Sequence, residues 1–168
     1  MAKKFIPLLL VVALFGTACN REARNLKGDY SYKLSGDVVV INNNGSENHH
    51  FIHRVGQMNV LKDKSSKTGY VITMNEMNGG CYTIPAKLRG DSLVLDPHTF
   101  TTTILSPDGI SIIDQEQTFT AVYEVQAFGS GRINDNTLIL REAWTGYESG
   151  APSNTISAPQ ITILAEKN

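Results

Sequence analysis

The stretch TFTAVYEVQAF, residues 118–128, alternates along its whole length. Phe119, Ala121, Tyr123, Val125 and Ala127 fall on one side, and Thr118, Thr120, Val122, Glu124 and Gln126 on the other. Successive side chains of an extended chain point to opposite faces, so this pattern predicts a strand with one face in a core and one in water. Working outward, DYSYKLSGDVVVI (29–41) places Tyr30, Tyr32, Leu34, Val38 and Val40 together. TGYVITMNEM (68–77) groups Tyr70, Ile72 and Met74, and CYTIPAKL (81–88) groups Tyr82, Ile84, Ala86 and Leu88, with Pro85 pointing to an edge or a bulge. DSLVLD (91–96) reads as a short strand, and NTLILREAW (136–144) and APQITILAE (158–166) as two more. Turn-forming residues separate these runs at Asn44-Gly45, Asn78-Gly79-Gly80, Gly90-Asp91, Pro107-Asp108-Gly109 and Asp135-Asn136. The RGD at 89–91 is therefore read as a hairpin. Residues 147–157 read as a long polar loop.

No helix-period segment of useful length follows residue 27. Eight or nine strands joined by tight turns, without crossover helices, predict an all-β antiparallel body: an up-and-down barrel, or alternatively a β-sandwich. Closure into a barrel removes the edges on which sheets aggregate.

The N-terminus has a different character. MAKK (1–4) is basic, FIPLLLVVALF (5–15) is apolar but too short to span a bilayer, and GTAC (16–19) follows. This order resembles the lipobox of bacterial lipoproteins, in which small residues precede a cysteine that becomes acylated. The resemblance implies a signal peptide over 1–18, lipidation of Cys19, a tether over 19–27 and one barrel domain over 28–168. It also implies attachment to the cell envelope. Asn20, where retention in the inner membrane requires Asp, points to the outer membrane, and the net-positive NREARN (20–25), in contrast to the acidic cluster of surface-exported Bacteroidetes lipoproteins, points to its periplasmic face.

NLKGDYSYKLSG (25–36) resembles the first strand of lipocalin-like bacterial lipoproteins, where a G-x-W element opens the barrel; Gly28 and Tyr30 hold those two places. That resemblance implies a lipocalin-like barrel and makes Arg141 the candidate to pack over the Tyr30 ring.

The chain has 168 residues and a formal net charge of −1, which leaves no basic footprint for nucleic acid. With Cys19 lipidated, Cys81 has no partner for an intrachain disulfide and reads as a buried or half-buried strand residue. His49, His50 and His53 lie in SENHHFIH (46–53), read as an exposed loop between the first two strands. A helical turn there would bring His49 and His53 together for zinc, but no paired-ligand motif supports it, so neither metal nor cofactor is expected. No nucleophile elbow accompanies the chain's serines, and Glu116, Glu124 and Glu142 read as solvent-facing strand carboxylates, so catalysis is not expected. Tyr30, Tyr32, Tyr70, Tyr82, Phe119, Tyr123 and Trp144 fall mostly on the apolar faces. In a small barrel they either fill the core or line a cavity for one apolar or amphipathic molecule. Two functions follow: a lipid-anchored binding module for a small molecule, or a lipid-anchored accessory protein that docks onto an unknown envelope partner.

Overall fold

A computed structural model of the chain describes residues 26–77, 80–105 and 120–168. Cys19, Glu116, Phe119, Asn78-Gly79 and Pro107-Asp108-Gly109 lie outside the described residues. Each alternating run becomes a strand, in the order β1 (Gly28–Ile41), β2 (Glu47–Lys62), β3 (Gly69–Glu76), β4 (Cys81–Arg89), β5 (Ser92–Leu105), β6 (Thr120–Asn134), β7 (Thr137–Glu148) and β8 (Ala151–Lys167). Every strand pairs antiparallel with its neighbour in sequence, and β8 returns to β1 from Tyr30↔Lys167 to Ile41↔Thr155, closing the barrel. The architecture is an all-β, closed, eight-stranded up-and-down antiparallel barrel; the sandwich alternative is excluded by the β1–β8 ladder. No helix occurs among the described residues.

The alternation holds where it was read. Tyr123, Val125 and Ala127 are buried while Val122, Glu124 and Gln126 are exposed. Tyr30, Tyr32, Leu34, Val38 and Val40 are all buried on β1. The RGD segment is a two-residue hairpin: Arg89 pairs with Ser92, and Gly90 sits at φ +65°, the left-handed region a tight reversal needs and a side chain disfavours.

Four readings are corrected. SENHHFIH is not a loop, because β2 begins at Glu47 and carries all three histidines. The inward positions at this end of β2 are Asn48, His50, Ile52 and Arg54, too polar to reveal an alternation. Residues 147–157 are not a loop either: Glu148 pairs with Ala151, and β8 starts directly after a two-residue turn. DSLVLD is only the first third of β5, which passes Pro97 through an irregularity between Leu95 and His98 and then runs on to Leu105. Leu26, placed in the tether by sequence, is wholly buried in the core, and its carbonyl accepts a hydrogen bond of 2.8 Å from the Tyr30 hydroxyl.

Pro85 stands where the β4–β5 ladder stops, since that ladder covers only Ala86–Arg89 against Ser92–Leu95. Likewise β3 covers only Gly56–Lys62 of β2. The β3–β4 hairpin is thus shorter than the strands on either side. Among the described residues, His49–Arg54 of β2 and Thr101–Ile104 of β5 border an opening beyond its tip.

Candidate functional site

Inward side chains line the barrel at three levels. The floor, at the end where Leu26 enters, is apolar: Leu26, Tyr30, Val60, Tyr70, Leu93, Leu138 and Ala165 are all buried. Lys62 Nζ lies 4.4 Å from the centre of the Tyr70 ring, and Lys167 Nζ lies 5.9 Å from that of Tyr30. Both tyrosines therefore belong to the closed floor. Lys167 occupies the place over Tyr30 that resemblance assigned to Arg141. Arg141 is exposed because it shares parity with Ile139 and Ala143, on the outer face of β7.

The middle level is aromatic and polar. The Tyr82 and Phe100 rings stack with centroids 4.3 Å apart, His98 lies near-parallel to Tyr82 at 6.3 Å, and Trp144 meets Phe100 edge-on at 5.1 Å. Ala127 pairs with His98 on one side and Trp144 on the other, and its small side chain leaves room between them. Glu142 projects into the same region and is only 2% exposed. This overturns its reading as a solvent-facing carboxylate: on β7, Leu138, Leu140, Glu142 and Trp144 share the inward parity. Trp144 Nε1–H donates to Glu142 Oε2 at 2.9 Å. His98 Nε2 lies 3.5 Å from Glu142 Oε1, within ion-pair range but too far for a hydrogen bond, and both atoms are left without a hydrogen-bond partner. His98 Nδ1 is 3.1 Å from the carbonyl oxygen of Asp96, which can only accept, so Nδ1 carries a proton. In the singly protonated ring, Nε2 is then an acceptor facing another acceptor. Burial pushes the Glu142 carboxyl above its ordinary value, against the opposing pull of the Trp144 N–H and His98.

The upper level surrounds the opening. Arg54 Nη1 donates to both oxygens of Glu76, at 2.9 and 3.2 Å, and Nη2 donates to the carbonyl oxygen of Thr103 at 2.7 Å. One guanidinium thus spans from β2 to β5 over the short hairpin. Beneath it, Tyr32 lies across Gly56; a Cβ there would come within 2.7 Å of the Tyr32 ring and 2.2 Å of the Asn75 carbonyl oxygen, so only glycine admits the ring. Burial, then the Glu76 carboxylate, push the Tyr32 hydroxyl up to about 12, with Arg54 pulling the other way. A cleft of about 840 Å³ opens above the Arg54–Glu76 pair; the inward residues lining it are His50, Ile52, Arg54, Glu76, Thr102 and Ile104. Tyr123 is buried opposite Thr102.

Among the described residues, six buried polar side-chain atoms have no hydrogen-bond partner: Tyr32 Oη, His50 Nε2, Tyr82 Oη, His98 Nε2, Thr102 Oγ1 and Glu142 Oε1. All belong to inward positions of the middle and upper levels. A second depression, of about 730 Å³, lies on the outer face of β5–β8 around Thr99, Glu124, Gln126 and Tyr147, and none of these six residues lines it.

Of the aromatics singled out by sequence, the structure brings Tyr82 and Trp144 together and sets Tyr32 beneath Arg54, while Tyr30 and Tyr70 seal the floor. His49 and His53 are exposed on the outer face of β2, four residues and so roughly 13 Å apart along an extended strand, while His50 turns inward. They cannot chelate one ion together. Among the described residues no group of three His, Cys, Asp or Glu side chains is arranged to hold a metal. Cys81, read as a buried or half-buried strand residue, is exposed at the first position of β4. Glu142, His98, Arg54 and Thr102 were missed, although parity along β7 already placed Glu142 beside Trp144.

No family model matches the chain. No curated protein matches it. Among solved structures, one described as EF1p2_mFAP2b bound to DFHBI is similar over 89% of this chain and 99% of its own, with 13% identity and a TM-score of 0.44.

Proposed function

We propose that this chain is a lipid-anchored protein of the bacterial cell envelope whose barrel holds one small amphipathic molecule. The observation that carries the binding reading is the set of six unpartnered buried polar atoms among aromatic rings. An unsatisfied buried donor or acceptor costs about 1–3 kcal/mol, and proteins rarely leave several together without a partner. Packing alone would have favoured apolar residues at these positions. Polar groups converging in an aromatic barrel with an opening to solvent are what a bound molecule with a polar end requires.

Native mass spectrometry of delipidated protein from its own host tests this directly. A retained small molecule at one per barrel is expected, and its loss on replacing both Tyr82 and Glu142 places it inside. An empty barrel that co-purifies stoichiometrically with an envelope protein would favour the accessory role instead.

The anchoring reading rests on the GTAC context after the apolar run. Each buried methylene contributes about 0.8 kcal/mol, so several acyl chains on Cys19 would hold the protein firmly where one would not. Cys19→Ala is expected to abolish acylation and release the protein from membranes, or leave it unprocessed. Wild-type mobility together with persistence in the membrane after a carbonate wash would refute it.

A further inference from the structure

We propose that the cleft between β2 and β5 is an anion-binding portal, taking the carboxylate or phosphate head of an amphipathic molecule on Arg54, His50 and Thr102. This rests on the small-molecule reading above and names the ligand's head and its point of entry.

The opening follows from strand lengths. β3 and β4 span 8 and 9 residues, whereas β2 and β5 span 16 and 14. Among the described residues the wall is therefore low here, and His49–Arg54 of β2 and Thr101–Ile104 of β5 border the gap. A ligand can enter through the side of the barrel.

The chemistry of the lining is rich in donors. Arg54 carries five N–H donors and meets three acceptor atoms, two on Glu76 and one on Thr103, which leaves donors over. Thr102 is 4% exposed, and its hydroxyl, unpartnered, lines the cleft. His50 Nε2 is likewise buried without a partner. Burial and the adjacent His49 hold the His50 ring below its ordinary value, so it serves near neutrality as a hydrogen-bonding ring rather than as a cation. Glu76 is the one carboxylate lining the cleft among the described residues, and Arg54 already neutralises it. Three other acids among the described residues point elsewhere: Asp37 and Glu47 are exposed, and Glu124 accepts from Tyr147 and Ser149 on the outer face. An acceptor-rich head is the complement of such a lining, and guanidinium binds carboxylate and phosphate alike in a two-pronged geometry. Ile52 and Ile104, inward beside these groups, and the aromatic middle level behind them offer an apolar path for the tail.

Calorimetry with dodecanoate, dodecyl phosphate, dodecanol and inorganic phosphate, each below its micellar range, tests the portal. Both charged dodecyl compounds are expected to bind at least about tenfold more tightly than dodecanol. Arg54→Gln is expected to erase that preference. Thr102→Val, an isosteric change that keeps the strand, is expected to weaken the charged compounds about three- to tenfold and leave dodecanol unchanged. Glu76→Gln, which removes the competing carboxylate, is expected to strengthen them. Equal binding of charged and uncharged dodecyl compounds, unaltered in all three variants, would overturn the portal and leave small-molecule binding standing. Inorganic phosphate binding as tightly as dodecyl phosphate would also overturn it, because the tail would then contribute nothing. Binding of none of the four to a folded barrel would overturn the portal, while a molecule retained from the host would still sustain the broader reading.

Discussion

Trp144→Ala is expected to lower the unfolding free energy by about 3–5 kcal/mol, a large share of the roughly 5–15 kcal/mol that a domain of this size holds. Trp144 is 1% exposed, so truncation opens a cavity in the middle of the barrel rather than relieving a surface. Phe100 loses its edge-on neighbour at 5.1 Å. Glu142 loses the indole N–H that satisfies Oε2, so both of its oxygens become unpartnered in a buried setting. Trp144→Phe retains a six-membered ring but removes the N–H and part of the indole, so a loss of about 1–3 kcal/mol from the stranded acceptor is expected together with that of a smaller cavity. Urea denaturation of the three proteins measures both. A loss under about 1 kcal/mol for Trp144→Ala would show that the indole does not pack in the interior.

Glu142→Gln is expected to stabilise the fold above the ordinary carboxyl range, by about 1–3 kcal/mol. The amide oxygen can still accept from Trp144, while the amide N–H can donate towards the Nε2 lone pair of His98. Its pH dependence has a fixed sign. Burial raises the folded carboxyl above the ordinary value of 4.5. Below that value both folded and unfolded chains hold the proton, and the wild type has its full stability from this group. As pH rises past 4.5, the unfolded chain gives up its proton first, so wild-type stability falls until the folded carboxyl also ionises. The advantage of Glu142→Gln should therefore be small in acid, grow as pH rises and then level off. A pH-independent difference would mean that Glu142 is solvated as an ordinary surface carboxylate, and an advantage confined to acid would mean that a charged His98 lowers its folded carboxyl more than burial raises it.

The strands that were legible in sequence were those whose inward positions are apolar. Tyr123, Val125 and Ala127 on β6, or Tyr70, Ile72 and Met74 on β3, announce their face because burial of apolar surface is a local requirement on every second residue. β2 hid itself for the opposite reason. Its mouth end turns Asn48, His50 and Arg54 inward, and a polar residue on an inward position resembles a loop until its partners are known. Glu142 was misread in the same way: a carboxylate between Leu140 and Trp144 looks solvent-facing by type and buried by parity, and parity prevailed.

By itself, the sequence determined the all-β class, the antiparallel connectivity through tight turns, and the side of each apolar strand that faces inward. These follow from a period of two and from turn residues a few positions apart, both readable within a dozen residues. The tertiary structure decided the rest. Closure of β8 on β1, the low wall left by the β3–β4 hairpin, the reach of Arg54 from β2 to the Thr103 carbonyl, and the meeting of His98, Glu142 and Trp144 all depend on ladder registers between distant segments. Register fixes which side chains share a level of the barrel, and no local pattern in the chain encodes it.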